Sequence, residues 1–296
     1  MKLITFKKDE RSKAAVGVLH KNEQTLGPID DFDLSYTSMN DLILNITDEE
    51  MSRLKEATES EKEFPFKLDE IQMLAPIPVP RQDVICLGIN YEEHAKESAR
   101  FKKEAFELNA QYPVYFSKRV NEALGQNGKI PSYDTVVDSL DYEVELAVII
   151  GKDAKNVSKE HAKEYIFGYT ILNDMSARNL QTRHKQWYLG KSLDGFTPMG
   201  PWIVTEEEIP YPPELDIQSF VNDEPRQNGN TRDFINDIGD VIEDLSRCMV
   251  IKAGSIISMG TPKGVGMGFE PPRFLKTGDE VICRIEKIGT LSNQIV

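Results

Sequence analysis

The chain has 296 residues, 40% hydrophobic and 28% charged, enough for one large domain with an appendage or for two domains. Its formal net charge of −14 argues against nucleic acid or an anionic membrane as a partner, and any anionic substrate needs a local cationic device. The N-terminus MKLITFKKDERSKAAV carries no apolar leader and no later run reaches membrane-spanning length, while Cys86, Cys248 and Cys283 have no metal-type spacing, so a cytoplasmic protein with reduced thiols is expected.

In chain order, AAVGVLHKNEQTLGPI reads as short strands around a turn, and DEEMSRLKEATESEKEF as a charged helix. LAPIPVPR concentrates prolines, which favour an extended connector, so a small N-terminal α+β unit is expected over residues 1–72 and a larger unit over 73–296. VICLGIN is a buried strand, NYEEHAKESARFKKEAFEL is helix-prone and YPVYFSK is a short aromatic strand. YEVELAVIIG is a strand, SKEHAKEYIF a short helix capped by Ser158, GYTILND a strand and SARNLQTRHKQWYL a helix. Strands then dominate (PWIVT, SFVND, GSIISMG, DEVICRIE) between Gly and Pro turns. The alternation is too irregular for a parallel βαβ array, so the fold class is α+β, mainly β.

DYEVELAVIIG places Glu143 and Glu145 two apart, on one face of a strand, with Val144, Leu146 and Val148 on the other. Either this face is wet and the strand half-exposed, or a hard cation offsets the repulsion between the carboxylates. Asp174 falls where a strand gives way to a helix. A helix starting there sets Asp174, Arg178 and Gln181 on one stripe, although an acid at a helix start also serves as a plain cap. Lys191 lies in GKSLDGFTPMGP ahead of a Gly/Pro turn, where a lone lysine is ordinarily solvated. MGTPKGVGMG is no Walker loop, because no Ser or Thr follows Lys263-Gly264; its glycines suit a tight hairpin or a backbone close to a ligand. His94 and Glu97 are one helical turn apart, either a charged surface pair or an imidazole oriented as a base. His184, in the RHKQ run, reads as structural.

Together, YEVELAVIIG, NDMSARNLQ, GKSLDGFTPMGP and MGTPKGVGMG, in this order, resemble the fumarylacetoacetate hydrolase family from about residue 75 to the C-terminus, in particular its bacterial oxaloacetate decarboxylase and acylpyruvase-type members. The resemblance implies a mixed β-sandwich roll behind a small N-terminal domain, usually a homodimer. It implies Glu143, Glu145 and Asp174 as ligands of Mg²⁺ or Mn²⁺, with Arg178, Gln181, Lys191 and Thr261 lining the substrate site. NYEEHAKE resembles the family's mobile segment, which brings His94 and Glu97 over the ligand; a lid over about 92–111 follows.

Three carboxylates without a nearby His or Cys suit a hard cation rather than zinc. Lys191 and Arg178 then make the pocket net positive for an anion. A 2-oxo acid substrate fits, cleaved through a pyruvate enolate with Lys191 stabilising the oxyanion and, for hydrolysis, His94 and Glu97 activating water. Oxaloacetate decarboxylation or acylpyruvate hydrolysis is expected. Dehydration or isomerisation of a 2-oxo acid is the alternative on the same site, with a non-catalytic binding protein further behind.

Overall fold

The computed structural model describes residues 1–102 and 112–296. The chain opens with β1 (Lys2–Lys7), β2 (Ala15–Leu19) and β3 (Thr25–Pro28), then helices α1 (Met39–Asn45) and α2 (Asp48–Thr58), then the short strands β4 (Phe66–Lys67) and β5 (Gln72–Met73). Helix α2 begins at a capping box in which Thr47 and Glu50 satisfy each other's backbone N–H groups. The prolines of residues 74–81 lead into β6 (Val84–Leu87), followed by α3 (Glu92–Lys102), β7 (Tyr115–Lys118), β8 (Lys129–Ile130), β9 (Leu140–Asp141) and β10 (Val144–Ile150). Next come β11 (Ile166–Asn173), β12 (Ser176–Ala177), α4 (Arg178–Arg183), α5 (Tyr188–Lys191), β13 (Met199–Thr205), β14 (Asp216–Val221) and β15 (Glu224–Asn230). Helix α6 (Ile238–Cys248), β16 (Ile256–Ser258), β17 (Glu280–Ile285) and β18 (Gly289–Ile295) complete the chain.

The strands form a mixed, mainly antiparallel architecture. The large sheet runs β4-β3-β2-β1-β13-β11-β10-β16-β6-β7, with β5 against β1; a second runs β15-β14-β17-β18-β8, and β12 pairs with β9. Strand β10 is the centre of the fold. Val144, Leu146, Val148 and Ile150 pack into a core shared with Ile217, Val281 and Leu291 of the second sheet. Ala147 and Ile149, on its other face, pack with Leu3, Val18, Leu42 and Leu54 from the N-terminal part. A strand covered on both faces needs a continuous apolar run, which is what VELAVII supplies after its glutamate. The half-exposed reading of this strand therefore fails: both faces are buried, and so are Glu143 and Glu145.

The boundary expected between residues 72 and 73 falls inside β5, which pairs with β1, and β1 in turn pairs with β13. Three local expectations are corrected. The helix expected over SARNLQTRHKQWYL is broken, with Ser176 and Ala177 extended in β12 and a turn at 184–187 separating α4 from α5. SKEHAKEYIF forms a 3₁₀ helix over Lys159–Tyr165 without a Ser158 side-chain cap. His184 is an exposed residue at the C-cap of α4, with no core role. Helix α6 carries a signal that the strand pattern around it obscures: an Asp237/Asp240 capping box followed by buried Ile238, Val241, Ile242 and Leu245 at helical spacing. Among the described residues, no helix is long and apolar enough to cross a membrane.

Candidate active site

The site forms where β10 begins and β11 ends. The two strands are antiparallel neighbours, with Val144 opposite Asn173. Their paired ends bring Glu143 beside Asp174: the Asp174 N–H donates to Glu143 O (2.8 Å), and Asn173 Oδ1 accepts the Glu143 N–H (3.1 Å). Asp174 therefore closes a strand end rather than capping a helix, since α4 starts only at Arg178. Glu143, Glu145 and Asp174 are all buried, and each offers a carboxylate oxygen within 4.8 Å of the others.

Cations surround two of these acids. Lys191 Nζ donates to Glu143 Oε2 (2.6 Å) and to Asp174 Oδ2 (2.5 Å). Lys191 ends helix α5 and is 2% exposed, so the reading of it as an ordinary solvated lysine fails. The short helix reaches the site because Gly190 packs directly on α4, where a Cβ would meet the Gln181 backbone nitrogen at 2.6 Å. Arg178 Nη2 lies 2.7 Å from Glu143 Oε1 and 2.8 Å from Asp141 Oδ2, while its Nη1 donates to Gln181 Oε1 (3.2 Å).

Two buried residues join this cluster beyond those singled out from the sequence. Lys118, at the end of β7, lies 2.7 Å from Asp174 Oδ1 and donates to Met175 O (3.1 Å). Asp141 accepts from Arg178 Nε (2.9 Å) and from the backbone N–H groups of Gly266 (2.6 Å) and Met267 (3.0 Å). Its signal was the alternation of acids at 141, 143 and 145 in the sequence, although Asp141 lies in β9 and Glu145 in β10. Lys118 had none beyond its place at the end of an aromatic strand.

The electrostatics separate Glu143 from Glu145. Burial alone would raise the Glu143 carboxyl, but Lys191 and Arg178 outweigh it and hold the group well below its usual range. Glu145 goes the other way. Burial, then the charges of Asp174 and Glu143, push it well above the usual range, although Ser258 Oγ (2.5 Å) and the Gly260 N–H (3.0 Å) donate to it. Among the described residues Glu145 has no ion pair, and Asp174 Oδ1 is buried without an aligned hydrogen bond. A divalent cation among the three oxygens answers both deficits, and an all-oxygen donor set suits Mg²⁺ or Mn²⁺. The residues present fit such an ion. With all four carboxylates ionised, Glu143, Glu145, Asp174 and Asp141 against Lys118, Lys191 and Arg178 leave the cluster one charge negative, and a bound dication would turn it one charge positive, suited to an anion.

A cavity of about 500 Å³ opens over this cluster, lined by Glu143, Lys191, Arg178 and Gln181, with His94 entering from α3. Thr261 is placed differently. Its hydroxyl donates to Val144 O (2.8 Å) and accepts from Gln227 Nε2 (2.7 Å), and it is not among the residues lining the cavity. Glu97 is buried and lies 3.5 Å from His94 Nδ1, but its carboxylate oxygens accept from the Gly264 N–H at 3.0 and 3.1 Å. The glycine-rich loop thus grips α3 through Glu97 and the Arg178 site through Asp141. Of the segment 92–111 expected as a lid, residues 103–111 lie outside the described residues.

This grip is testable. A Cβ on Gly268 would lie 2.5 Å from Glu97 Oε1, so Gly268→Ala is expected to push the carboxylate off Gly264. Losing a hydrogen bond to a charged group of this kind should raise amide exchange across Glu92–Lys102 by about tenfold or more. Hydrogen-exchange mass spectrometry reads this directly, and unchanged protection would mean that other contacts hold the helix.

Comparison with known proteins identifies the family. The profile of the fumarylacetoacetate (FAA) hydrolase C-terminal family matches residues 83–296. Oxaloacetate tautomerase YisK of Bacillus subtilis (strain 168) is 47% identical over 232 residues, 78% of this chain and 75% of that protein. Among solved structures, a fumarylacetoacetate hydrolase from psychrophilic Exiguobacterium antarcticum superposes with a TM-score of 0.83 at 34% identity, covering 100% of this chain and 99% of that one. Maleylpyruvate hydrolase from Sphingobium sp. SYK-6, in complex with manganese(II) ion and pyruvate, superposes with a TM-score of 0.76 at 27% identity, covering 100% and 99%. The match over most of the length, together with the buried acid and lysine cluster, places the chain in the fumarylacetoacetate hydrolase family.

Proposed function

We propose that the chain is a Mg²⁺- or Mn²⁺-dependent enzyme acting on a small 2-oxo acid by enol chemistry, with keto–enol tautomerisation of oxaloacetate as the reaction its site fits best. The observation that carries this reading is the position of Glu97. Hydrolysis of an acylpyruvate needs an attacking water and a His94–Glu97 pair to activate it. Here the Glu97 oxygens accept from the Gly264 N–H at 3.0 and 3.1 Å, and the contact with His94 Nδ1 is longer, at 3.5 Å. Tautomerisation needs no water. A proton leaves C3 of the keto acid and one arrives on the C2 oxygen, or the reverse. The similarity to an oxaloacetate tautomerase supports the same choice.

In this reading Glu143, Glu145 and Asp174 would hold the cation, which would supply Lewis acidity to the 2-oxo group. Arg178 and Gln181, tied to each other at 3.2 Å, orient the substrate carboxylate. Lys191 lines the cavity floor and places its ammonium beside the oxygen that gains charge as the enolate forms. Its proton is held in place: burial by itself would release it, but Asp174 and Glu143 outweigh burial and raise its pKa. That suits an electrostatic partner rather than a base. His94 is the cavity-lining imidazole and serves as the group that moves the C3 proton. Decarboxylation of oxaloacetate is the second reading, since loss of CO₂ leaves the same type of enolate and also needs no water. The protein acts in this scheme as a homodimer in the cytoplasm.

The deciding experiment follows the ultraviolet absorbance of enol-oxaloacetate while pyruvate release is measured in parallel, with Mg²⁺ or Mn²⁺ present. Enol–keto conversion without pyruvate is the expected result, and His94→Ala should slow it by roughly a hundredfold, as for a lost proton-transfer group. Pyruvate release at the same rate would move the assignment to decarboxylation. Cleavage of acylpyruvate with no effect on oxaloacetate would overturn it.

A further inference from the structure

We infer that Lys185 recognises a second carboxylate on the substrate, so that the cavity takes short dicarboxylic 2-oxo acids in preference to monocarboxylic ones; this rests on the 2-oxo acid reading above. Lys185 lines the same cavity as Lys191, Arg178 and His94. Lys191 and Arg178 are each bound to buried carboxylates. Lys185 is exposed, and among the described residues its ammonium makes no ion pair. It is thus the cation of this wall whose charge is not already neutralised by the protein.

Its backbone is the second observation. Lys185 has φ of 59°, in the left-handed region, directly after the C-cap of α4. Glycine is the usual occupant of such a position, because a Cβ incurs a steric cost there. Residues held in this region against their preference tend to cluster where a site needs them. The turn at 184–187 breaks the helix and directs residue 185 along the cavity wall.

The spacing suits a two-ended ligand. Arg178, buried in α4, and Lys185, exposed in the turn just after it, line the same cavity at different depths. Arg178 and Gln181 meet one carboxylate at the floor, and the long Lys185 side chain covers the other from the rim. Trp187 bounds this space. It packs on Phe116 with ring centroids 5.2 Å apart, and in the room left by Gly88, where a Cβ would collide with its ring. A wall fixed in this way limits the length of ligand that reaches both cations. The plain alternative is a rim lysine that only complements the carbonyl end of α4.

The test compares the unaltered protein with Lys185→Met, Lys185→Arg and Lys185→Gly, each loaded with Mg²⁺ and titrated calorimetrically with oxaloacetate and with pyruvate. Lys185→Met is expected to weaken oxaloacetate binding about tenfold, the scale of a solvent-accessible charge-assisted contact, and pyruvate binding less than about twofold. Lys185→Arg restores the oxaloacetate preference. Lys185→Gly loses it as Met does, yet melts at a higher temperature than the unaltered protein because glycine relaxes the left-handed position. Equal weakening of both ligands, or of neither, would overturn the role of Lys185 alone. Failure of the unaltered protein to bind either ligand would overturn the 2-oxo acid reading and this inference with it.

Discussion

Asp174→Ala is expected to abolish divalent-cation binding and turnover together, and to lower the melting temperature by on the order of 10 °C in metal-free buffer. The two effects have different origins. Asp174 is one of three carboxylates placed to share a cation, and two remaining acids leave too few charged oxygens to hold it. The stability loss comes from the lysines. Lys118 is fully buried, and Asp174 is the carboxylate it pairs with, at 2.7 Å; Lys191 would lose one of its two. Removing one partner of a buried ion pair typically costs about 3–5 kcal/mol because the other charge stays buried and uncompensated. The double variant Asp174→Ala/Lys118→Met separates the two effects. It should recover much of the stability while binding no Mg²⁺ or Mn²⁺, read by calorimetry and thermal melting. A single variant that still binds the cation with undiminished affinity would remove Asp174 from the ligand set.

What the sequence reveals here depends on whether a signal is local. Carboxylates in an otherwise apolar strand are a local anomaly, so Glu143 and Glu145 stand out within their own segment. The same alternation extends one step back to Asp141, a residue that holds Arg178 and the glycine-rich loop. The order of four short motifs carries the family and the fold class. Lys118 is invisible by comparison. It is an ordinary lysine at the end of YFSK until β7 pairs with β6, and β6 with β16, which lays the strand beside Asp174. Such burial arises from pairing between distant segments and leaves no trace in the segment itself. The break between α4 and α5 is equally hidden, because RHKQ contains neither Gly nor Pro to announce a turn. The pairing of β1 with β13, residues about 200 apart, is again a product of tertiary packing: both strands read as strands, but nothing local names the partner.

Lys191→Met isolates the charge of Lys191 from its packing, and its two consequences should run in opposite directions. Methionine keeps a long apolar stem against Phe116, over whose ring the ammonium now sits at 5.2 Å. Without the ammonium, no lysine offsets Glu143, and Asp174 keeps only Lys118. Their oxygens then present more negative charge to a dication, so Mg²⁺ or Mn²⁺ affinity should be retained or increase. Turnover should fall by about a hundredfold or more, the usual scale for one lost donor to a developing oxyanion. The loss should appear in kcat with little change in KM, because the ammonium is needed most when the enolate charge forms. A structural role alone gives a different pattern. If Lys191 only held Glu143 and Asp174 in place, cation affinity and turnover would fall together, and raising the Mg²⁺ or Mn²⁺ concentration would restore kcat. Rescue by excess cation would therefore remove Lys191 from the chemical step, whereas a low kcat at saturating cation and substrate would keep it there.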